Sequence, residues 1–493
     1  MIQSVWTDEM ASTERKPLQE NIEVQVAVIG AGLAGTLTAH FIRERGLKVA
    51  IFEANQAFGG MTKNTTAKIT SQHNLIYDSL IQSFGLEHAR EYAVLNEESI
   101  KEYQRLITTL EIPCYFEQQP AYVYTLGDTK NIMKEVESAK KLGIAAEFTT
   151  DTALPFQVKG AIKFNQQAQF HPLQFLKGIS KDLTIYEQTK VEDISKDSIL
   201  KVSTKEGNFQ VKAKYIVIAT HYPFINVPGY YFLRMHQERS YVIALRPQNQ
   251  IEYGMYIGEY NSGPSFRTYQ DYLLIGGSNH RTGRNPSGGC YEELIKTAQK
   301  WYPNTKIEYK WSNQDCMSID KVPFIGRYSR SMPNVYVATG FNKWGMSNSM
   351  VSAMLITKEI CENKFNKNSI YSPQRFNLSA SAKTLGEEMK TAISRITLQY
   401  MSLPNKKIES IKKGQGGIVN LDGHKVGVYK NPQGQVYLVT TKCPHLGCML
   451  AWNPDELTWD CPCHGSRFDF EGNLINNPAK QDKFCFIKEK PPK

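Results

Sequence analysis

Residues 24–35 read VQVAVIGAGLAG, a run of apolar strand formers that leads directly into a Gly-x-Gly-x-x-Gly turn. A helical stretch follows to about Arg45, and a second apolar run, residues 48–52, ends in the acidic residue Glu53. In this arrangement the glycines allow a tight turn, the approach of a pyrophosphate to the backbone and close packing of the helix, whose N-terminus supplies amide donors. The acid is placed to bind ribose hydroxyl groups. The stretch therefore predicts a βαβ unit that binds a dinucleotide.

Later segments favour FAD as that dinucleotide. A glycine pair, Gly59-Gly60, follows Glu53 within seven residues and resembles the turn beneath the flavin phosphates in FAD proteins of the glutathione-reductase type. Val191 follows a short predicted strand, and it resembles in position the segment whose backbone contacts adenine in that superfamily. Residues 213–220 resemble the superfamily's strand that ends in Ala-Thr or Ala-Gly.

A predicted strand at residues 334–340 leads into a helix that begins near residue 345. The N-terminus of this helix can face the flavin C2 carbonyl and stabilise negative charge on the reduced ring. The FAD contacts predicted from all these segments are Gly30, Ala31, Gly32, Leu33, Ala34, Gly35, Glu53, Ala54, Gly60, Met61, Thr62, Val191, Ala219, Gly340, Gly345, Met346 and Ser347.

Residues 23–365 as a whole resemble the glycine/D-amino-acid oxidase family of FAD enzymes, and residues 168–172 (AQFHP) are similar to that family's segment entering the substrate domain. The resemblance implies an α/β (α+β) fold: a Rossmann-like FAD-binding domain of the glutathione-reductase type with an inserted antiparallel-sheet substrate domain. The FAD-binding segments are expected at about 23–75, 161–224 and 321–365, and the substrate and cap inserts at about 76–160 and 225–320.

A second decisive stretch lies near the end of the chain, where residues 443–448 read CPHLGC and residues 461–466 read CPCHGS. The two short loops carry four cysteines and two histidines, which are ligands for zinc or for iron–sulfur clusters. A Cys-x-His and Cys-x-x-His pattern fits a [2Fe–2S] cluster in which two thiolates bind one iron and two imidazoles the other. A structural zinc site that uses Cys448 or Cys463 is the alternative.

This stretch resembles the Rieske family. The resemblance implies that Cys443 and Cys461 ligate one iron, that His445 and His464 ligate the other, and that a disulfide joins Cys448 and Cys463. It also implies an all-β Rieske domain over residues 408–493. High-potential members carry a tyrosine hydroxyl two residues after the conserved serine, where this chain has Phe468. Because hydrogen bonds to sulfur help to set the potential, we expect the loss of this donor to lower it.

The composition is that of a globular protein of two or three domains. The net charge of +10 is spread along all 493 residues and forms no basic patch, so nucleic-acid binding is not expected. We find no signal peptide and no apolar run of membrane-spanning length, so a cytoplasmic enzyme with otherwise reduced cysteines is expected. Residues 1–22 read as a loosely held arm, and residues 366–407 as a polar linker with a helix around Met389–Tyr400.

Two absences bear on the reaction. A second Gly-x-Gly-x-x-Gly turn, which flavoprotein reductases use for NAD(P)H, is missing, so the electrons are expected to come from an organic substrate. The paired histidines of the mononuclear iron site in Rieske oxygenases are missing as well. The chain is therefore not expected to be an oxygenase.

Three side chains are candidates for catalysis. Arg267, on a predicted strand of the substrate domain, can pair with a substrate carboxylate. His280 falls where some family members have a histidine near the flavin. Lys343 lies beside the flavin-facing turn and can stabilise the reduced flavin or activate oxygen. Each residue also has an ordinary structural interpretation: a solvated strand position, a structural hydrogen bond and an exposed side chain, respectively.

Together these features predict a dehydrogenase that oxidises an amine or amino-acid-like substrate at the flavin and passes single electrons through the Rieske cluster to an external acceptor. Two alternatives stay open. One is a reductase in which electrons enter at the cluster or from NAD(P)H and a substrate is reduced at the flavin. The other is a cluster-based sensing or binding role with a vestigial flavin site.

Overall fold

The computed structural model describes residues 3–8, 15–195, 197–249, 251–261, 263–375 and 407–480, which form two compact units. The first unit takes the described residues up to Gly229, together with Ser240–Ser278 and those from Tyr291 to Arg375. The second takes Tyr230–Arg239, Asn279–Cys290 and residues 407–480. The helix predicted around Met389–Tyr400 lies outside the described residues.

The described residues contain seven α-helices and twenty-four strands. The helices are α1 (Leu33–Glu44), α2 (Tyr77–Phe84), α3 (Leu86–Thr109), α4 (Lys130–Lys141), α5 (Pro172–Ile179), α6 (Cys290–Trp301) and α7 (Gly345–Glu362). The strands are β1 (Ile22–Ile29), β2 (Val49–Phe52), β3 (Lys68–Ile69), β4 (Glu117–Thr125), β5 (Ala146–Thr149), β6 (Gly160–Gln169), β7 (Thr184–Tyr186), β8 (Lys190–Ile194), β9 (Ile199–Ser203), β10 (Asn208–Ile218), β11 (Met235–Leu245), β12 (Met255–Gly258), β13 (Ser265–Tyr269), β14 (Tyr272–Arg281), β15 (Ile307–Ser318), β16 (Phe324–Ser329), β17 (Met332–Thr339), β18 (Gln415–Leu421), β19 (His424–Lys430), β20 (Val436–Thr440), β21 (Ala451–Asn453), β22 (Thr458–Asp460), β23 (Arg467–Asp469) and β24 (Leu474–Asn476).

The first unit is built on an eight-stranded sheet whose main path runs β16-β17-β10-β1-β2-β7, with β9 attached to β10 and β8 attached to β9. Strands β1, β2, β7, β10 and β17 are parallel, and Ile29 at the end of β1 pairs with both Phe52 and Ile218. The continuous apolar runs of these strands fit a sheet that is buried on both faces. The carboxyl ends of β1, β2 and β10 therefore share one edge of the sheet, which is where ligands bind in open α/β folds.

A nine-stranded sheet contains the strands of the two inserts, in agreement with the inserted antiparallel sheet predicted from sequence. Its main path is β15-β11-β14-β13-β12-β4-β6-β3, with β5 attached to β6. Most of the neighbouring strands that have a described register are antiparallel, whereas β12 runs parallel to β4. Strands β11 and β14 contribute residues to both compact units, because Met235–Arg239 and Asn279–Arg281 belong to the second one.

The second unit contains two small antiparallel sheets, β18-β19-β20 and β21-β22-β23-β24. The loops with the cysteines and histidines lie between β20 and β21 and between β22 and β23. Trp459, Phe468 and Leu450 pack with the loop cysteines in one buried cluster, so an aromatic core supports both loops from behind.

The N-terminal arm is held more firmly than its polar sequence predicts. Trp6 is fully buried, donates its indole N–H to the Thr65 carbonyl oxygen at 2.7 Å and packs edge-on against Tyr269. Leu18 is buried as well. A single tryptophan in a polar segment carries no periodic signal, so the sequence pattern does not reveal this anchor.

Among the described helices, none combines the length and the apolar character needed to cross a bilayer.

Candidate functional site

The glycines of the first turn are required by the backbone around them. Gly30 has φ +102°, and a Cβ there would lie 2.6 Å from the Ala219 carbonyl oxygen. A Cβ on Gly35 would lie 2.0 Å from the Gly30 oxygen. Gly32 differs, because the nearest atom to a Cβ at that position is Thr62 Oγ1 at 3.6 Å. The first and third glycines thus serve the fold, whereas the second borders open space into which a pyrophosphate fits.

Glu53 organises the same turn. Its carboxylate accepts hydrogen bonds from the backbone N–H groups of Ala31 and Asn55, both at 2.9 Å. Burial raises the pKa of Glu53 above its ordinary value, against the lowering effect of these N–H donors. Thr62 Oγ1 accepts from the Leu33 N–H at 3.2 Å, so the 3₁₀ turn after Gly60 is tied to the start of α1. The residues predicted from sequence here are brought together in the structure.

Two residues that follow β10 concern the site: Ala219, which is predicted from sequence, and His221, which is not. Ala219, which follows β10, donates its N–H to the Ile29 oxygen at 2.9 Å and so lies beside the glycine turn. Two residues later, His221 has a left-handed backbone with φ +67°, and its carbonyl oxygen accepts from Thr339 Oγ1. The His221 Nε2 atom is buried and has no hydrogen-bond partner among the described residues. Burial lowers the pKa of this imidazole to about 4, so it is neutral and free to accept or donate one hydrogen bond.

The start of α7 is fixed by His73. The His73 Nε2 atom lies 2.8 Å from the Thr70 oxygen and 2.9 Å from Ser347 Oγ, and Nδ1 lies 2.5 Å from the Tyr92 hydroxyl. Its ring stacks on Trp344 with the centroids 4.7 Å apart, and burial lowers its pKa to about 3. Since both ring nitrogens have partners, His73 is a structural residue that links the segment after β3 to the N-terminus of α7.

The side chain of the candidate Arg267 already donates hydrogen bonds to backbone carbonyl groups. It is 1% exposed, Nη1 donates to the Thr66 oxygen at 2.5 Å and to the Ala67 oxygen at 2.8 Å, and Nε donates to the Thr268 oxygen at 3.1 Å. Burial lowers the pKa of this guanidinium to about 9. These hydrogen bonds give the buried Arg267 side chain a structural role. The alternative interpretation from sequence, a solvent-exposed strand residue, is wrong.

Lys68, on β3 in the same segment, was not singled out from sequence. It is 9% exposed, and its side chain makes no hydrogen bond or ion pair within the described part of the chain. Burial, followed by repulsion from Arg267, lowers the pKa of Lys68 to about 7. A buried amine without an acidic partner is a candidate for binding an anionic group.

The other two candidates lie in different units. Lys343 is in the first unit, half-buried, in a left-handed turn with φ +73° directly before α7. His280 is in the second unit, where its Nδ1 atom lies 3.8 Å from Cys290 Sγ.

The two loops of the second unit have the same backbone hydrogen bonds. In the first, Cys443 N donates to the Cys448 oxygen and Gly447 N to the Cys443 oxygen, both at 2.9 Å. In the second, Cys461 N donates to the Ser466 oxygen at 2.8 Å and Gly465 N to the Cys461 oxygen at 2.9 Å. Gly447 and Gly465 both have positive φ, +78° and +82°, which closes each tight loop without steric cost.

The loops bring their ligand-type side chains together. Cys443 and Cys461 share a hydrogen bond between their sulfurs, which lowers the pKa of Cys443 and, together with burial, raises that of Cys461. The rings of His445 and His464 lie 4.9 Å apart at 87°. Two thiols and two imidazoles therefore converge, which is the donor set that a [2Fe–2S] cluster with mixed ligands needs.

Hydrogen-bond donors surround the sulfurs. Cys443 Sγ accepts from the N–H groups of His445 and Leu446 and from the Ser466 hydroxyl, and Cys461 Sγ accepts from two N–H groups of its own loop. Such donors stabilise negative charge on thiolates and on a cluster. Phe468 is fully buried and packs in the core, so it contributes no donor.

A disulfide joins the loops. The Cys448 and Cys463 sulfurs are bonded at 2.07 Å. Their sulfurs and that of Cys461 all lie within 4.8 Å of one another, which by distance alone resembles a metal site. A disulfide sulfur is not a thiolate, however, so this grouping cannot supply the ligands of the alternative zinc site.

Comparisons with known proteins support both the dinucleotide-binding part and the cluster-binding part of the chain. A model of the FAD dependent oxidoreductase (DAO) family matches residues 25–359, and a model of the Rieske [2Fe-2S] domain matches residues 402–488. A putative Rieske 2Fe-2S iron-sulfur protein, YhfW of Bacillus subtilis, is 37% identical over 94% of this chain and 93% of its own length. Gamma-glutamylputrescine oxidoreductase of Escherichia coli is 22% identical, over 69% of this chain and 84% of its own.

Solved structures show the same fold for the first part of the chain. L-proline dehydrogenase from P. horikoshii has a TM-score of 0.62 at 18% identity and covers 73% of this chain and 99% of its own. Glycine oxidase from Bacillus cereus has a TM-score of 0.59 at 19% identity, with 72% and 99% covered. The cofactors of the two families are FAD and a [2Fe–2S] cluster, and the turn at Gly32 and the convergent thiols and imidazoles fit them. The chain therefore belongs to the DAO family of FAD-dependent oxidoreductases and carries a C-terminal Rieske [2Fe–2S] domain.

Proposed function

We propose that the protein is a dehydrogenase that oxidises an amine or an amino-acid-like substrate and delivers the electrons singly to an external acceptor. When bound, FAD accepts a hydride equivalent from the substrate carbon, and the [2Fe–2S] cluster carries one electron at a time. The observation that carries the proposal is the convergence of Cys443, Cys461, His445 and His464 in a chain whose other part has the DAO fold. An oxidase that reduces oxygen at its flavin has no use for a one-electron carrier, whereas a dehydrogenase needs an acceptor, and a one-electron carrier connects the flavin to it.

In this proposal Cys443 and Cys461 would bind one iron as thiolates, and His445 and His464 would bind the other as neutral imidazoles. Burial lowers the pKa of His445 to about 4, so its ring is neutral at physiological pH and available as a ligand. The disulfide Cys448–Cys463 joins the two ligand loops covalently. The hydroxyl of Ser466 and the loop N–H groups stabilise the charge on the ligand sulfurs.

On the flavin side, the amide groups of residues 30–35 and the N-terminus of α1 would bind the pyrophosphate, and Glu53 would bind a ribose. The N-terminus of α7, held by His73, would face the flavin ring and stabilise negative charge on it. Lys343 precedes this helix in its left-handed turn, and we keep it as a candidate for the same task. His280 stays a prediction from family position alone.

The proposal of an amine-type substrate is supported by the names of related proteins, which concern gamma-glutamylputrescine, glycine and L-proline. For a substrate with a carboxylate we favour Lys68 over Arg267 as the binding group. Lys68 is buried without an acidic partner among the described residues, whereas Arg267 already donates to three backbone carbonyls. We expect Lys68→Met to raise KM with FAD retained, and the exposed Lys159→Met to leave KM unchanged.

An anaerobic experiment tests the function. The holoprotein is mixed with pools of amines and amino acids, or with NAD(P)H, and flavin absorbance and the low-temperature EPR signal of the cluster are recorded. We expect a pool to bleach the flavin first and the reduced-cluster signal to grow afterwards. In a Cys443→Ala variant the same pool should bleach the flavin without producing the signal. Reduction by NAD(P)H alone would overturn the proposal in favour of a reductase.

A further inference from the structure

The second cluster loop is held by side chains that come from far away in the sequence but belong to the same compact unit. Arg281, the last residue of β14, donates from Nε to the Pro462 oxygen at 2.9 Å and from Nη2 to the Cys463 oxygen at 2.8 Å. Gln237, on β11, donates from Nε2 to the His464 oxygen at 2.7 Å. Three successive carbonyl groups of the loop thus have a partner outside the Rieske sequence.

The contact is packed closely enough to fix the loop. Gly283 has φ +73°, and a Cβ there would lie 2.8 Å from the Pro462 nitrogen. On the other side, a Cβ on Gly465 would lie 2.5 Å from Gln237 Cβ. Both positions therefore need glycine for close approach as well as for backbone conformation. A loop confined in this way holds its ligand atoms more rigidly than its own hydrogen bonds alone would.

The histidine side of the site is covered as well. The ring of Phe232 meets His445 and His464 edge-on, with centroids 6.3 Å and 6.1 Å away. An apolar ring in this position reduces the water next to the imidazoles. Because water screens charges, a nearby cation acts more strongly on a cluster in such a place.

The Arg281 guanidinium carries a permanent positive charge. It binds the carbonyl groups of the two residues that lie between Cys461 and His464 in the sequence. A reduced cluster has one more negative charge than an oxidised one, so a cation close by favours the reduced form and raises the potential. This effect opposes the lower potential expected from Phe468, which lacks a hydroxyl donor.

We propose that Arg281 is a positioning residue that fixes the second ligand loop and raises the reduction potential of the [2Fe–2S] cluster. The inference rests on the proposed assignment of Cys461 and His464 as ligands, and it does not depend on the substrate or on the direction of electron flow. Residues of β11 and β14 would then tune the potential of the Rieske domain.

The test is a redox titration of the full-length holoprotein, followed by EPR, without any substrate. We expect Arg281→Gln to make electron uptake by the cluster about tenfold less favourable, which for a one-electron couple is about 59 mV. Arg281→Lys keeps the charge but not the two-pronged geometry, so an intermediate potential is expected. The matched control is Arg284→Gln, which removes the same charge from an exposed residue three positions later and should leave the potential unchanged.

A potential for Arg281→Gln equal to that of the wild-type protein, or a shift equal to that of Arg284→Gln, would overturn the inference. If Arg281→Gln does not retain iron, the lysine variant decides. A lower potential with altered EPR g-values supports the role of Arg281, and an unchanged potential and spectrum refute it. Failure of the ligand assignment is a separate outcome, seen as full iron content in Cys443→Ala.

Discussion

The dinucleotide turn and the cluster loops are both short glycine-containing motifs, but they are supported in different ways. The turn at residues 30–35 is held by the side chains of Glu53 and Thr62, 22 and 29 positions after the N–H groups that they accept from, and by backbone contact with the end of β10. The second cluster loop is held by the side chains of Gln237 and Arg281, 227 and 181 positions before their partners. A motif thus identifies the binding groups, whereas the side chains that hold it in place come from nearby in the sequence in one case and from far away in the other.

The largest effect is expected at the cluster. Cys443→Ala should abolish the cluster while FAD stays bound, because the residues proposed to bind the two cofactors belong to different compact units and the remaining thiol cannot hold an iron pair. Iron, sulfide and flavin content measure this. Cys361→Ser, a half-buried free cysteine of the first unit, is the control and should keep all three. Simultaneous loss of FAD would mean that the two sites do not assemble independently.

The next effect concerns the dinucleotide turn at residues 30–35. Gly32→Ala should give a folded protein that is purified largely without FAD, since a Cβ there meets no protein atom within 3.4 Å but enters the space assigned to the pyrophosphate. Flavin content and far-UV circular dichroism separate binding from folding. Gly127→Ala, in a turn where a Cβ has room, should retain FAD. Normal FAD content in Gly32→Ala would contradict the proposed path of the pyrophosphate.

A third prediction compares buried charges. In the second unit Asp460 and Glu456 pair with Arg467, whereas the partners described for Glu135 of the first unit are backbone N–H groups, among them those of Tyr77 and Asp78. Burial raises the pKa of Glu135 from 4.5 to about 7. The folded state therefore binds this proton more tightly than the unfolded state, and its contribution to stability falls as pH rises from about 4.5 to 7.

Glu135→Gln cannot ionise, so relative to the wild-type protein it should gain about 3 kcal/mol of stability between pH 4.5 and 8. Urea unfolding at pH 5 and pH 8, monitored by the release of flavin, measures the difference in the free energy of unfolding. An exposed carboxylate replaced in the same way, Glu87→Gln, should show no such pH dependence. An equal gain for both variants would mean that Glu135 ionises normally in the folded protein.

The smallest effect concerns one donor to a ligand sulfur. Ser466→Ala removes the hydroxyl that donates to Cys443 Sγ, and we expect the reduction potential to fall by roughly 60 mV, the equivalent of about 1.4 kcal/mol. Redox titration followed by EPR measures it, with the exposed Ser410→Ala as control. A change much smaller than that of Arg281→Gln would show that remote charge outweighs the local hydrogen bond.

Those parts of the protein whose function lies in contiguous residues can be predicted from the amino-acid sequence. The glycine turn, the acid at the end of β2, the paired cluster loops and the strand before α7 can all be read in order, because hydrogen bonds between near neighbours and fixed ligand spacing leave a pattern in the chain. Both families follow from those patterns.

The roles of isolated side chains become visible in the folded protein and not before. Folding buried Trp6, bound Arg267 to backbone carbonyls, left Lys68 without an acidic partner among the described residues, and brought Gln237 and Arg281 to the second cluster loop. These contacts join residues that are far apart in sequence, and they arise from the complementary surfaces of folded elements. Such complementarity has no period and no fixed spacing, so it leaves no local signal in the sequence.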